Sequence, residues 1–437
     1  MKLKIQRYLV VLLTHFLIYP VYINGVSKAL QQLVIFGLIG IFTFVNFNNV
    51  QPLFKTLGNH KKNGIIGLLL LLLILSGSFL IPIIYNTSDF SYFSQILSTT
   101  LYLVFYILLV VMIRKYFENK NTKRKVLELF AEVQLHYVIV TILFLIFPQL
   151  KMKWMNLIQM TPRSIELVNS PAYISRVGWD GYAGFTSTVY ATIAVVVTIY
   201  LITEFYKVYK KINFKYVIYL IFALVGNAFY GRSGLLVSLI MIFIGLIYLV
   251  VVYKKYSMLF IMIGSIGLLF ILVSIAANFN SSIATWYNWA MEPIISLFKT
   301  GEIQTRSSDI MWDMWFIPEL KTFLIGDGYY SSPLHSGYYM ETDIGFLRPI
   351  LFYGMFFTVI YYLIPIILGT SIAKDSRESK LFIFLMYLSI LLFEIKGEVI
   401  FKFLPIMVMI FTASYLSGRS KNMMLKNTRK YEIGVTF

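Results

Sequence analysis

The sequence predicts an all-α polytopic membrane protein of about twelve transmembrane helices, with both termini inside and one long and one medium extracytoplasmic loop. Three observations predict it. The chain is 58% hydrophobic and only 13% charged, with a mean hydropathy of +0.75, which leaves too little charge to clothe a soluble domain of 437 residues. Apolar runs long enough to cross a bilayer recur along it. Basic residues gather between those runs, in alternate loops.

The runs fall at about 8–23, 29–47, 64–84, 96–113, 128–147, 185–203, 216–231, 233–252, 258–277, 345–369, 380–395 and 398–417. The first is kept as a span and not a cleaved leader, because it carries Pro20 and no small-residue cleavage pattern follows. With the N-terminus inside, the cytoplasmic loops collect 26 of the 38 Lys and Arg, including the cluster from Arg114 to Lys125 and the tail from Arg419 to Lys430. Thirteen of the 20 acidic residues fall outside. Removing or adding one span would carry a basic cluster across the membrane, so the charges support the threading. The net charge of +18 is then an orientation signal and a contact with anionic lipid. Nucleic-acid binding is not expected, since the basic loops are short and lack aromatic platforms. The absence of cysteine excludes disulfide and thiol chemistry.

Two outer loops of substantial size follow, about 148–184 and about 278–344. Residues 1–417 read as one membrane domain and 418–437 as a basic cytoplasmic tail. All six tryptophans lie in the two loops: Trp154, Trp179, Trp286, Trp289, Trp312 and Trp315. An interfacial aromatic belt explains them. Flat rings beside Asp, Glu and Asn also suit sugar rings, and Tyr329, Tyr330, Tyr338 and Tyr339 enrich the second loop in the same way. Residues 306–324 read as an amphipathic helix, with Ile310, Trp312, Trp315 and Phe316 resting on the membrane surface.

Twelve basic residues stay outside, against the rule. Arg232 and Arg348 stand out because they flank apolar spans, where a guanidinium needs a partner or a purpose. Its planar fork matches phosphate oxygens. Pairing of Arg348 with Glu398, Glu394 or Asp343 is the structural alternative. Glu394, Glu398 and Lys402, four apart, read as one helical face holding an internal ion pair, and Glu128, Glu132 and His136 as a solvated helix end. His15 and His60 belong to no constellation. His335 lies in the long loop within eight residues of Glu341 and Asp343, a general-base candidate beside two carboxylates. No metal-ligand spacing or nucleotide motif occurs, so no cofactor is expected.

Several local motifs carry a resemblance. Gly231-Arg-Ser-Gly-Leu-Leu opens a span with an arginine among small residues. Arg306 is followed by Trp312 and by Leu324-Ile-Gly-Asp-Gly328. His335-Ser336 leads to Asp343-Ile-Gly-Phe-Leu347 and Gly354. In these motifs and in its topology the chain resembles the bacterial O-antigen polymerases (Wzy-type) and the related O-antigen ligases, and the Asp-x-Gly ending fits the polymerases better. The resemblance implies a metal-independent glycosyltransferase of the bacterial cell membrane, acting on extracytoplasmic polyprenyl-diphosphate-linked oligosaccharides during O-antigen or capsule synthesis. A chain-length regulator and a flippase are the implied protein partners. It implies Arg232, Arg306, Arg348 and Arg176 at the diphosphate, His335, Asp343 or Glu341 as base, and Trp312, Trp315 and Tyr338 on the glycan. Transfer of finished glycan to another acceptor, and flipping of the lipid-linked unit, are the alternative activities. A flippase would place charges within the spans and keep its outer loops short.

Overall fold

A computed structural model describes residues 2–45, 61–117, 122–170, 173–254, scattered positions between 256 and 279, and residues 281–301, 306–334 and 337–433. The protein is an all-α membrane protein. Among the described residues, seven helices are long and apolar enough to cross a membrane, and three shorter apolar helices pack among them. The run at 258–277 lies mostly outside the described residues, as does His335. Each of the other eleven runs falls on helix.

The bundle begins with α1 (Lys2–Ile18), α2 (Lys28–Val45), α3 (Lys61–Ile84), α4 (Ser91–Tyr116) and α5 (Thr122–Ile146). Helix α1 stops short of its apolar run because Pro20 cannot continue it. The segment predicted as the first outer loop is itself structured. It holds α6 (Pro148–Leu157), α7 (Pro162–Asn169) and a minimal antiparallel hairpin of β1 (Val177–Gly178) and β2 (Gly181–Tyr182). Next come α8 (Phe185–Tyr209), α9 (Phe214–Tyr230) and α10 (Arg232–Tyr253), then α11 (Ser281–Thr300), α12 (Arg306–Asp313) and α13 (Leu320–Ile325). The chain closes with α14 (Leu347–Tyr353), α15 (Met355–Ala373), α16 (Arg377–Glu394) and α17 (Ile400–Ile433), the last carrying helix on through the basic tail.

Helix α8 is the axis. It is almost wholly buried, with α5, α9, α10 and α16 around it, whereas α2 lies on the periphery. Polar groups inside this core are bonded to one another, as a low-dielectric interior requires. Asn227 of α9 lies among Thr192 of α8 and Ser238 of α10. At the end opposite the loops, Lys123 reaches Asp375 at 3.3 Å and Lys207 reaches Glu378 at 2.7 Å, tying helices that are distant in sequence.

Two expectations are corrected. Residues 306–324 are not one amphipathic helix: α12 ends at Asp313, the chain runs non-helically past Pro318, and α13 begins at Leu320. Phe316 does not rest on the surface but packs with Met314 against Ile344, Leu347 and Leu351. The apolar run 345–369 is also broken, at Gly354, into α14 and α15. There Gly354 (φ 77°) meets the end of α13, and Gly326 (φ 72°) meets the end of α14. A Cβ on either would strike the other segment's backbone, and both angles favour glycine. Asp327 N–H donates to Leu351 O at 2.7 Å and Gly328 N–H to Phe352 O at 3.3 Å, stitching the long loop to the bundle. The glycines of the Leu324–Gly328 motif therefore serve a backbone-to-backbone contact.

Candidate functional site

The turn 395–399, between α16 and α17, organises the loop end of the bundle. Glu394, Glu398 and Lys402 do not share one helical face, because the helix breaks between the first and the last of them. Glu394 accepts from Val399 N at 2.8 Å, Ile400 N at 3.2 Å and the Tyr362 hydroxyl at 2.9 Å, so it caps the start of α17. Glu398 accepts from the hydroxyls of Tyr92 (2.6 Å), Tyr361 (2.7 Å) and Tyr330 (3.0 Å). Its ion-pair partner is Arg348, at 3.8 Å, and not Lys402.

Arg348 is only 7% exposed. Its guanidinium lies over the rings of Tyr330 (3.9 Å) and Tyr338 (3.5 Å), and Tyr330 stacks in turn on Tyr92 at 4.1 Å. Among the described residues, Nε and Nη2 of Arg348 have no hydrogen-bond partner. A buried guanidinium with donors left over is costly, and an anion is the natural complement.

Further basic groups stand nearby. Lys396, in the same turn, is held below its ordinary range by burial and by the charges of Arg176 and Arg232, with Asp343 acting the other way. Asp343 is raised by desolvation, against the pull of Arg348 and Lys396. Arg232 opens α10 and pairs with Glu292 of α11. Arg176 sits over the Tyr173 ring at 4.9 Å and donates to the Tyr182 hydroxyl at 3.1 Å. Lys396 thus has Arg176, Arg232 and Asp343 as charged neighbours, and Asp343 links this group to Arg348. Lys396 held no special place in the sequence. Its signal was a lysine in a very short turn between two apolar helices, beside two glutamates.

The remaining candidates fall differently. The side chain of Arg306 lies outside the described residues, like His335. Glu341 is exposed, with a left-handed backbone (φ 54°). Trp312 and Trp315 are 64% and 36% exposed on the long loop, and Tyr338 joins the Arg348 cage. Trp179 is no belt residue. It packs inside the bundle against His15, Tyr19 and Tyr137, and its indole N–H donates to Tyr19 O at 3.1 Å.

Two cavities flank this end. One, about 1190 Å³, is apolar and runs between α1, α2, α5 and α6, with Trp154 and Trp179 in its wall. In it the two histidines that the sequence left apart meet: His15 Nε2 lies 2.8 Å from His136 Nδ1. The other, about 520 Å³, is of mixed polarity and is lined by Tyr19, Tyr102, Tyr106, Tyr190, Asp180 and Lys402 among others. Asp180 lies in the hairpin turn, takes the Tyr137 hydroxyl at 2.5 Å, and is pushed up by burial to about 6. It escaped the sequence reading because one aspartate in a long loop signals nothing by spacing.

Among the described residues, no group of three or more His, Cys, Asp or Glu could hold a metal ion. Comparison with protein-family models, with curated proteins and with solved structures gives no match to this chain.

Proposed function

We propose that this protein is a glycosyltransferase of the bacterial cell membrane. It polymerises lipid-linked oligosaccharide units during surface polysaccharide synthesis. It spans the membrane twelve times with both termini inside, so that the loop end of the bundle faces outward. The donor is a glycan on polyprenyl diphosphate, and the acceptor is the sugar hydroxyl of a second lipid-linked unit.

The observation that carries this reading is Arg348, buried with two donor nitrogens unfilled among the described residues and linked through Asp343 to Lys396, whose other charged neighbours are Arg176 and Arg232. In the reaction, the acceptor oxygen bonds to the donor's anomeric carbon as the bond from that carbon to the diphosphate breaks. The diphosphate leaves with the electron pair, and the hydroxyl proton passes to a base. Negative charge grows on the leaving group, so fixed guanidinium groups stabilise the transition state more than the bound donor. Arg306 belongs with them in this scheme. Trp312, Trp315 and Tyr338 hold the glycan, and the large apolar groove offers a surface suited to an isoprenoid chain. The long structured loops favour an enzyme over a flippase.

The test is glycan chain length in the native host. Deletion of the gene should leave single repeat units where the parent makes a ladder. An unchanged ladder defeats the proposal. Polymer stranded on carrier lipid would indicate a ligase, and units retained on the inner face a flippase.

A further inference from the structure

We infer that the mixed-polarity cavity beside α1, α4, α8 and α17 is the acceptor-sugar pocket, and that Asp180 is the base that takes the acceptor's hydroxyl proton. This rests on the transferase reading above and supplies the group which that reading leaves open.

The wall has the chemistry of a sugar site. Tyr19, Tyr102, Tyr106 and Tyr190 line it with aromatic side chains, and Ser98, Thr99, Thr186 and Ser187 add hydroxyl groups. At about 520 Å³ the cavity is within the range of small-molecule sites, about 300–1,000 Å³. Asp180 is the one carboxylate in its lining among the described residues, and Tyr137 fixes its orientation through Oδ1. Lys402 lines the same space, and its charged neighbours are Glu398 and Arg348. The cavity is thereby joined, through the first turn of α17, to the cations assigned to the leaving group. Nucleophile and leaving group need such an arrangement, with a base at one end and cations at the other.

The step is a simple transfer. Asp180 accepts the proton of a sugar hydroxyl, the oxygen bonds to the anomeric carbon, and the carbon–diphosphate bond breaks with its pair going to the diphosphate. Burial raises Asp180 towards neutrality, which strengthens it as a base. The titratable groups facing it are Tyr137 of α5, Tyr19 of α1, Tyr190 of α8 and Tyr230 of α9, with Lys402 of α17 in the same cavity. Asp343, by contrast, does not line this cavity and has Arg348 and Lys396 as its charged neighbours.

The experiment complements the deletion strain with wild type, Asp180→Asn and Tyr137→Phe, with protein level measured and polymer read as the glycan ladder. Asp180→Asn should lower polymer by a hundredfold or more at normal protein level, while lipid-linked single units accumulate. Tyr137→Phe removes a hydrogen bond that favours the carboxylate, so in membranes supplied with the host's own lipid-linked units its acid limb should move to higher pH. A merely structural role would not move that limb. If deletion collapses the ladder but Asp180→Asn restores it fully, the pocket assignment falls and the transferase reading stands. If deletion leaves the ladder intact, the transferase reading itself fails. If Asp180→Asn does not accumulate as protein, the Tyr137→Phe profile decides, and an unmoved acid limb overturns the assignment.

Discussion

The guanidinium of Arg348 lies 3.8 Å from the carboxylate of Glu398, both nearly sealed from solvent, inside a cage of tyrosines from three separate parts of the chain. A buried pair of this kind is hard to break from one side. Glu398→Ala leaves a charged guanidinium without its counter-ion and should cost on the order of 3–5 kcal/mol. The thermal midpoint of purified protein in detergent checks it. The double variant Arg348→Met, Glu398→Leu should melt above the single one, because no uncompensated charge is left behind.

The basic rim is expected to act through charge on the leaving group. Arg232→Ala and Lys396→Ala should each reduce polymer by roughly a hundredfold, the usual loss when one donor to a developing anion is removed. Protein level, measured in parallel, should stay normal. Wild-type polymer from both variants would dissociate the rim from the reaction.

Gly326 and Gly354 face one another across the junction of α13 with α14 and α15. Alanine at either position places a methyl group against backbone at a positive φ. The strained backbone alone costs about 1–3 kcal/mol, and the steric clash adds to it. Each variant should show reduced expression and a lower melting point, with early proteolysis in residues 306–345. An alanine variant of normal stability contradicts this account.

Asp89 holds the long loop from the other side. It accepts from Tyr330 N and Ser331 N, each at 2.7 Å, and from Ser91 N at 3.1 Å. Burial acts to raise this carboxyl, but these hydrogen bonds outweigh it and the group is lowered overall. A lowered carboxyl stabilises its contacts fully above the ordinary carboxylate range and loses them as pH falls through the folded value. Protease resistance of the loop should therefore decline in acid. Asp89→Asn should be nicked faster at neutral pH and respond less to acid. Equal nicking of both proteins would contradict it.

The sequence was informative about the candidate site in a particular way. Arg232 and Arg348 were marked by their cost near hydrocarbon, which is a property of each position alone, and Arg176 by the resemblance; the structure links all three to Lys396 or Asp343. The partner of Arg348 was among three named possibilities. The tyrosines around Glu398 were not foreseen, because Tyr92, Tyr330 and Tyr361 look like ordinary residues of apolar helix or loop until they converge. The pairing of His15 with His136 was invisible because His15 belonged to no constellation and His136 read with Glu128 and Glu132 as a solvated helix end. The helix breaks at Gly354 and after Asp313 were missed because hydropathy measures length and not continuity.

Residue content by itself determined that this is a helical membrane protein, where its long apolar helices fall, and that Arg232 and Arg348 are unusual charges flanking apolar runs. Those are local properties, set by apolar length and by the cost of a charge beside hydrocarbon. Only the tertiary structure decided which charges meet. It brought Asp180 of one loop into a cavity with Lys402 of the last helix, and Arg348 against Glu398 across the α16–α17 turn. Such contacts join residues dozens to hundreds of positions apart, and their free energy depends on burial and distance, which the order of residues does not specify.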